Sequence, residues 1–249
     1  MRVFLVVLLS LVSPACGSPS APEGSLRVLF IGNSLTAHNN LPAMVAALGR
    51  LGGPTVQVAS ALMDGSSLED HWQSGPARTR VAEGWDFVVM QQGPSSLAES
   101  AVHLRTWAME WAIVIRAAGG EPALYAVWPD ESRASFFPDV SANYRAAAAA
   151  VEGRFLPAGD AWLAAWAEDA GLGLYGPDRF HPSPLGSLLA ALTIYAGLAG
   201  HMPELPARFQ VGGNDLALSE PLRGLLVRAA TAALAGAPSA GSTSPSARP

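Results

Sequence analysis

Two short segments far apart in the chain carry residue types that together can perform nucleophilic catalysis. The first is Phe30-Ile31-Gly32-Asn33-Ser34-Leu35, a serine one tight turn after an apolar run. The second is Gly176-Pro177-Asp178-Arg179-Phe180-His181-Pro182. A serine hydroxyl is a weak nucleophile until a neighbouring base takes its proton. The base, usually histidine, in turn needs a carboxylate to fix its tautomer. Asp178 and His181 stand three apart on a turn, a spacing that brings the carboxylate to Nδ1 and leaves Nε2 to face a hydroxyl. Each segment has a plainer reading by itself. Gly-Asn-Ser after a strand is commonly a turn with a capping serine, and Asp-x-x-His is commonly a capped surface turn. The combination makes Ser34, Asp178 and His181 a candidate catalytic set.

Composition removes other chemistries. All 15 basic residues among the 249 are Arg, so the chain has neither a phosphate-loop lysine nor a Schiff-base lysine. No Gly-x-Gly-x-x-Gly is present, and Thr36 stands where a Gly-x-Ser-x-Gly elbow needs its second glycine. A formal charge of −5, with arginines scattered singly, argues against a nucleic-acid partner. One Cys excludes an intrachain disulfide and a multi-cysteine zinc site, and no two of the five His have the i, i+4 spacing of a helical zinc pair. The sequence thus calls for no metal and no organic cofactor.

The elements that must position the candidate residues alternate. Short aliphatic or β-branched runs at Val28–Ile31, Thr55–Ala59, Phe87–Gln91, Ala123–Val127 and Phe155–Pro157 read as strands. The first, third and fourth are almost continuously apolar, as for strands covered on both faces. Helical patterns fall at Leu41–Leu51, Glu99–Ala118, Val140–Val151, Asp160–Ala170 and Ser183–Gly200, with Asp160 as an expected N-cap. Alternating β and α units predict a parallel sheet with helices on both faces and right-handed crossovers. Chemistry in such sheets lies beyond the carboxyl ends of the strands, where Ser34 falls. No internal repeat is present.

The two blocks together resemble the SGNH (GDSL-like) hydrolases over about Arg27 to Gly200. Gly32-Asn33-Ser34-Leu35 looks like the family's first block, and Asp178 to His181 like its last. Asp64-Gly65-Ser66-Ser67-Leu68-Glu69-Asp70-His71-Trp72 and Trp85-Asp86-Phe87-Val88-Val89-Met90-Gln91-Gln92 are similar to a bacterial branch. The resemblance implies a three-layer α/β/α, flavodoxin-like fold on a five-stranded parallel sheet. It implies Ser34 as nucleophile, His181 as base and Asp178 as its orienting carboxylate. It also implies an oxyanion hole from the Ser34 and Gly65 N–H groups plus a third donor. The family's third block supplies that donor from an Asn. Here the strand runs into Gln91-Gln92-Gly93-Pro94 with no Asn, and a Gln amide offers the same kind of hydrogen bond from a longer stem. Gln91 is the favoured residue, with Gln92 next.

The function expected on this resemblance is an exported serine esterase that removes acetyl or short acyl groups from carbohydrate or related esters. The alternative is a catalytically silent SGNH-like domain that binds a cell-envelope glycan or protein. Asn33, His38 and Trp128 are candidate pocket residues. For His38 a solvated loop reading comes first, and for Trp128 core packing is an equal reading. His71 reads as packed or capping, and His103 and His201 as helix residues. Asp160 competes weakly with Asp178 as the triad carboxylate. Trp107, Trp111, Trp162 and Trp166 have helix-face spacing and read as core rather than sugar platforms.

Both ends read as outside the domain. Residues 1–15 have a short basic start at Arg2, an apolar run from Phe4 to Val12 and small residues before Cys16, the pattern of a secretory signal. Cys16 and the Ser/Pro/Gly-rich residues 16–25 resemble a lipoprotein start, with Cys16 lipidated and attached to a membrane. Ser13 departs from the Leu that lipoproteins usually carry there. The expected domain spans residues 26–234, and residues 235–249 are an expected disordered tail.

Overall fold

The computed structural model describes residues 24–236. Five strands form one parallel sheet: β1 Ser25–Gly32, β2 Thr55–Leu62, β3 Phe87–Met90, β4 Glu121–Tyr125 and β5 Arg154–Leu156. Their order is β2-β1-β3-β4-β5, every neighbouring pair parallel. The chain leaves β1 toward β2 and returns on the other side of β1 to β3, so the topological switch point lies between β1 and β3. Side chains there are buried on both faces: Val28 to Ile31 and Val88 to Met90 are at most 1% exposed, which is why these strands read as unbroken apolar runs.

Nine α-helices occur among the described residues: α1 Ser34–Ala37, α2 Leu41–Leu48, α3 Leu68–Ser74, α4 Pro76–Val81, α5 Ala98–Ala117, α6 Phe137–Ala150, α7 Ala158–Glu168, α8 Pro184–Ala199 and α9 Glu220–Ala235. α2 packs on α8, and α8 on α7 and α9; α5 packs on α6, and α3 on α5. These groups cover the two faces of the sheet and complete the expected three layers. α8 is apolar around nearly its whole circumference because it lies inside the molecule. Its Gly186 is required by contact, since a Cβ there would stand 2.2 Å from the Leu174 carbonyl oxygen and 2.6 Å from Trp162.

Several expectations need correction. Asp160 is not an N-cap: Pro157 holds that position, because α7 starts earlier than its apolar pattern suggests. The Asp160 carboxylate instead accepts from Ser141 Oγ at 2.8 Å and pairs with Arg145 at 3.6 Å, away from the candidate triad. Burial raises its carboxyl above the ordinary range. Ser25 already pairs with Thr55 in the sheet, and Ala235 lies in α9, so linker and tail boundaries shift by a residue. A hairpin of β6 Arg208–Val211 and β7 Asn214–Ala217, and α9 after it, escaped the pattern reading. The expected signal segment, Cys16 and the remainder of the tail lie outside the described residues. Among those described, no helix is long and apolar enough to cross a membrane.

Candidate active site

The site is assembled at the carboxyl ends of β1 and β3. β1 ends at Gly32, where a Cβ would stand 2.6 Å from Thr36 Oγ1 and 2.7 Å from Gln91 Oε1. Only glycine lets the strand turn here under those side chains. Asn33 then caps α1, its Oδ1 accepting from Leu35 N at 3.1 Å and its carbonyl from the Thr36 and Ala37 N–H groups at 3.0 Å. Ser34 is thereby fixed as the first helical residue.

His181 Nε2 lies 2.9 Å from Ser34 Oγ, and His181 Nδ1 lies 2.6 Å from Asp178 Oδ2. The other carboxylate oxygen accepts the backbone N–H groups of His181 at 2.9 Å and Phe180 at 3.1 Å. These bonds, the one from the His181 ring foremost, hold the Asp178 carboxyl down at about 2. As an ionised acceptor it assigns the proton to Nδ1 and leaves Nε2 to accept the serine hydroxyl. The three residues singled out from two distant motifs therefore stand in one hydrogen-bonded line.

The loop that carries the pair is braced from outside. Gly176 N donates to His181 O at 2.7 Å, Tyr175 and Pro182 form a bridge, and Arg179 pairs with Glu131. Trp128 is fully buried and stacks on Trp162 at 3.7 Å, while its Nε1 donates to Phe180 O at 3.0 Å. Its candidate place in the pocket wall is thus corrected to core packing that supports the triad loop. Trp111 and Trp162 are also fully buried, with Trp107 and Trp166 packed partly exposed against the core.

A cleft of about 500 Å³ opens beside Ser34 and His181, lined also by Ala37, His38, Asn39 and Asp64. His38 is in the cleft rather than simply solvated: its ring stacks on that of His181, centroids 4.6 Å apart and planes 17° apart. Partial burial and then the neighbouring His181 lower its pKa, against opposing pulls from Asp178 and Asp64. A hollow of about 520 Å³ lies against the triad loop at Gly176 and Arg179 and includes neither Ser34 nor His181.

The glutamines do not fill the role expected of them. Gln91 Oε1 accepts from Asn33 N at 3.0 Å and Thr36 Oγ1 at 2.7 Å. Its Nε2 donates to Asn33 Oδ1 at 3.0 Å and to Gln92 O, so both amide hydrogens are committed. Gln92 Oε1 accepts from Leu68 N and its Nε2 donates to Ser95 Oγ at 2.9 Å. Both side chains are buried and brace loops instead of opening toward a substrate. Asn33 is likewise occupied, its Nδ2 donating to Ser66 O at 3.0 Å across to the loop of Gly65. By contrast, the Ser34 and Gly65 N–H groups have no hydrogen-bond partner among the described residues. Gly65 needs its glycine for a left-handed φ of +67°.

Two supporting residues carry weaker sequence signals. His71 is buried with Nε2 2.8 Å from the Gly32 carbonyl, which requires a proton on that nitrogen; burial lowers its pKa. Asn39 joins the Ser34 side of the cleft to the His181 side by donating to Pro182 O at 2.9 Å. Neither contact has a local pattern, since each partner is more than 30 residues away.

The line of side chains thus sits at the switch point of a three-layer α/β/α sheet. Solved structures agree. A protein from Slackia heliotrinireducens assigned to the SGNH hydrolases aligns at 28% identity with a TM-score of 0.59, over 70% of this chain and 99% of its own. A DUF4886 family protein from Bacteroides uniformis aligns at 18% identity and a TM-score of 0.71, over 85% and 95%. An acetylxylan esterase from Geobacillus stearothermophilus, solved as a catalytic mutant, aligns at 16% identity and 0.55, over 74% and 99%. No family model and no curated protein matches the sequence. The chain thus shares the fold of the SGNH hydrolases.

Proposed function

We propose that the protein is a serine ester hydrolase acting through Ser34, His181 and Asp178. The observation that carries this reading is the unbroken line from Ser34 Oγ through the His181 ring to the Asp178 carboxylate, with spacings of 2.9 and 2.6 Å. Ser34 Oγ attacks the acyl carbonyl carbon as His181 Nε2 takes its proton, and the negative charge that develops on the carbonyl oxygen is met by the Ser34 and Gly65 N–H groups. His181 then returns the proton to the leaving alkoxide. Water, deprotonated by the same nitrogen, hydrolyses the acyl-enzyme and frees Ser34.

The substrate class we propose is an acetyl or other short acyl ester of a carbohydrate. The shared fold of an acetylxylan esterase supports it. Export is part of the same proposal: the signal-like pattern of residues 1–15 supports a location outside the cytoplasm, and Cys16 is the proposed lipid attachment point. Hydrolysis of p-nitrophenyl acetate and of acetylated xylo-oligosaccharide tests the activity. We expect wild type to release acetate from both and Ser34→Ala to lose about 10³-fold or more in kcat. Oligosaccharide binding with no Ser34-dependent hydrolysis would instead support the silent binding domain.

A further inference from the structure

The segment after Ser34 is built to hold one ring in one place. His38, Asn39 and Asn40 form a 3-10 turn between α1 and α2, and both asparagines have left-handed backbone with φ 54°. Asparagine takes this conformation more readily than other side-chain-bearing residues, but two in succession need neighbours that fix them. Those neighbours are present. Asn39 Nδ2 donates to Pro182 O and to Ser187 Oγ, each at 2.9 Å. Asn39 O accepts from Asn214 Nδ2 at 2.8 Å, at the start of β7. The hairpin turn packs so closely that a Cβ on Gly212 would stand 2.9 Å from that of Asn40. Pro182 directly follows His181, so the tether joins the stretch carrying His38 to the stretch carrying the base. The outcome is the stacked pair of imidazoles.

We propose that His38 is a positioning residue for the base: its ring, held by the Asn39–Asn214 tether, covers one face of His181 and keeps that imidazole aligned between Asp178 and Ser34 during proton transfer. This inference rests on the ester-hydrolase reading of the site. The two bonds to His181 hold the edges of its ring, and Asp178 is 53% exposed, so water competes for the carboxylate end of the line. A ring packed against the face resists tilting in a way that those in-plane bonds do not. A neutral aromatic face also attracts the imidazolium that forms when Ser34 is deprotonated, whereas a charged His38 would repel it. The titratable groups facing His38 are His181, Asp178 and Asp64. Partial burial, together with His181, outweighs the two carboxylates and lowers the His38 pKa, which favours its neutral ring.

Three variants test this: His38→Ala, His38→Phe and Asn214→Ala, each checked for folding by a thermal melt. On p-nitrophenyl acetate, His38→Ala should lose about ten- to a hundredfold in kcat with KM little changed, as expected for misalignment of a reacting group. His38→Phe restores a flat, non-titrating ring and should recover most of that loss. Asn214→Ala cuts the tether without touching either ring and should give a smaller loss in the same direction. NMR of the His181 ring nitrogens adds a readout that needs no turnover. The resting wild-type protein should show one tautomer with the proton on Nδ1, and His38→Ala a mixture. Unchanged kcat and unchanged His181 signals in His38→Ala would overturn the inference, as would a Phe variant no better than the Ala variant. Wild type inactive on every ester would sink the hydrolase reading, and the NMR comparison would still decide the role of His38.

Discussion

Gln91 stands at the end of β3 beside the candidate nucleophile, yet its amide faces inward. Its Oε1 is needed by the Asn33 N–H, which fixes the amide orientation and sends Nε2 back to Asn33 Oδ1. The side chain therefore sets the turn that presents Ser34. Gln91→Ala should lower stability by about 2–3 kcal/mol, since it strands buried donors around Asn33, with kcat of the folded enzyme falling less than about tenfold. Urea unfolding and steady-state kinetics on the same preparation check this. A loss of about 10²–10³ in kcat at full stability would mark Gln91 as an oxyanion donor after all. Asp178 gives a second residue-scale expectation. Its folded pKa, about 2, lies below the unfolded value of about 3.9. Its contribution to stability is therefore complete above that unfolded value and is lost as pH falls through 2. The melting difference between wild type and Asp178→Asn should be present at pH 6 and shrink at pH 2.5. The amplitude should be small because the carboxylate is half exposed. An undiminished difference at pH 2.5 would mean that the carboxylate's charge is not what Asp178 contributes.

At the scale of elements, the sheet and the two segments that meet as the Ser34–His181–Asp178 line were legible because their signals are local. A strand buried on both faces is a continuous apolar run, and Gly32-Asn33-Ser34 and Asp178 to His181 each sit within a few residues. What escaped depends on partners far along the chain. The β6–β7 hairpin has short strands with alternating exposure, and its role appears only where Asn214 meets Asn39. The glutamine assignment failed for a related reason: a sequence shows that an amide is present, not which buried donors consume it. Helix α8 supplies the element-scale prediction. Its first turn lies against Leu174 and Trp162, and the Leu174 carbonyl also accepts from Ser183 N at 2.8 Å, just after the triad loop. Gly186→Ala would force that turn away from the loop and should cost about 1–3 kcal/mol by overpacking. It should also lower kcat, because the loop carries both Asp178 and His181. Full stability with full activity in Gly186→Ala would show that α8 does not set the loop.

At the scale of the whole molecule, the described residues 24–236 carry one continuous core. β1 begins at Ser25, Gly24 O accepts from Thr55 N at 3.0 Å, and the core is completed among residues 24–236. Residues 1–15 carry the sequence pattern expected of a secretory signal. Phe4 to Val12 supply nine mostly apolar residues behind Arg2, far short of the about 20 that span a bilayer but suited to a cleaved signal. The prediction is that the native protein is processed before Cys16. Intact-mass spectrometry of material from the native host should show loss of residues 1–15, with the added mass of a diacylglycerol group on Cys16 if the anchor is present. A recombinant chain beginning at residue 17 should keep the melting temperature and kcat of the full chain, because the described core lies within residues 24–236. A native protein that retains Met1 would overturn export, and a processed chain with unmodified Cys16 would overturn only the membrane attachment. A truncated chain that melts markedly lower would show instead that the leading segment belongs to the fold.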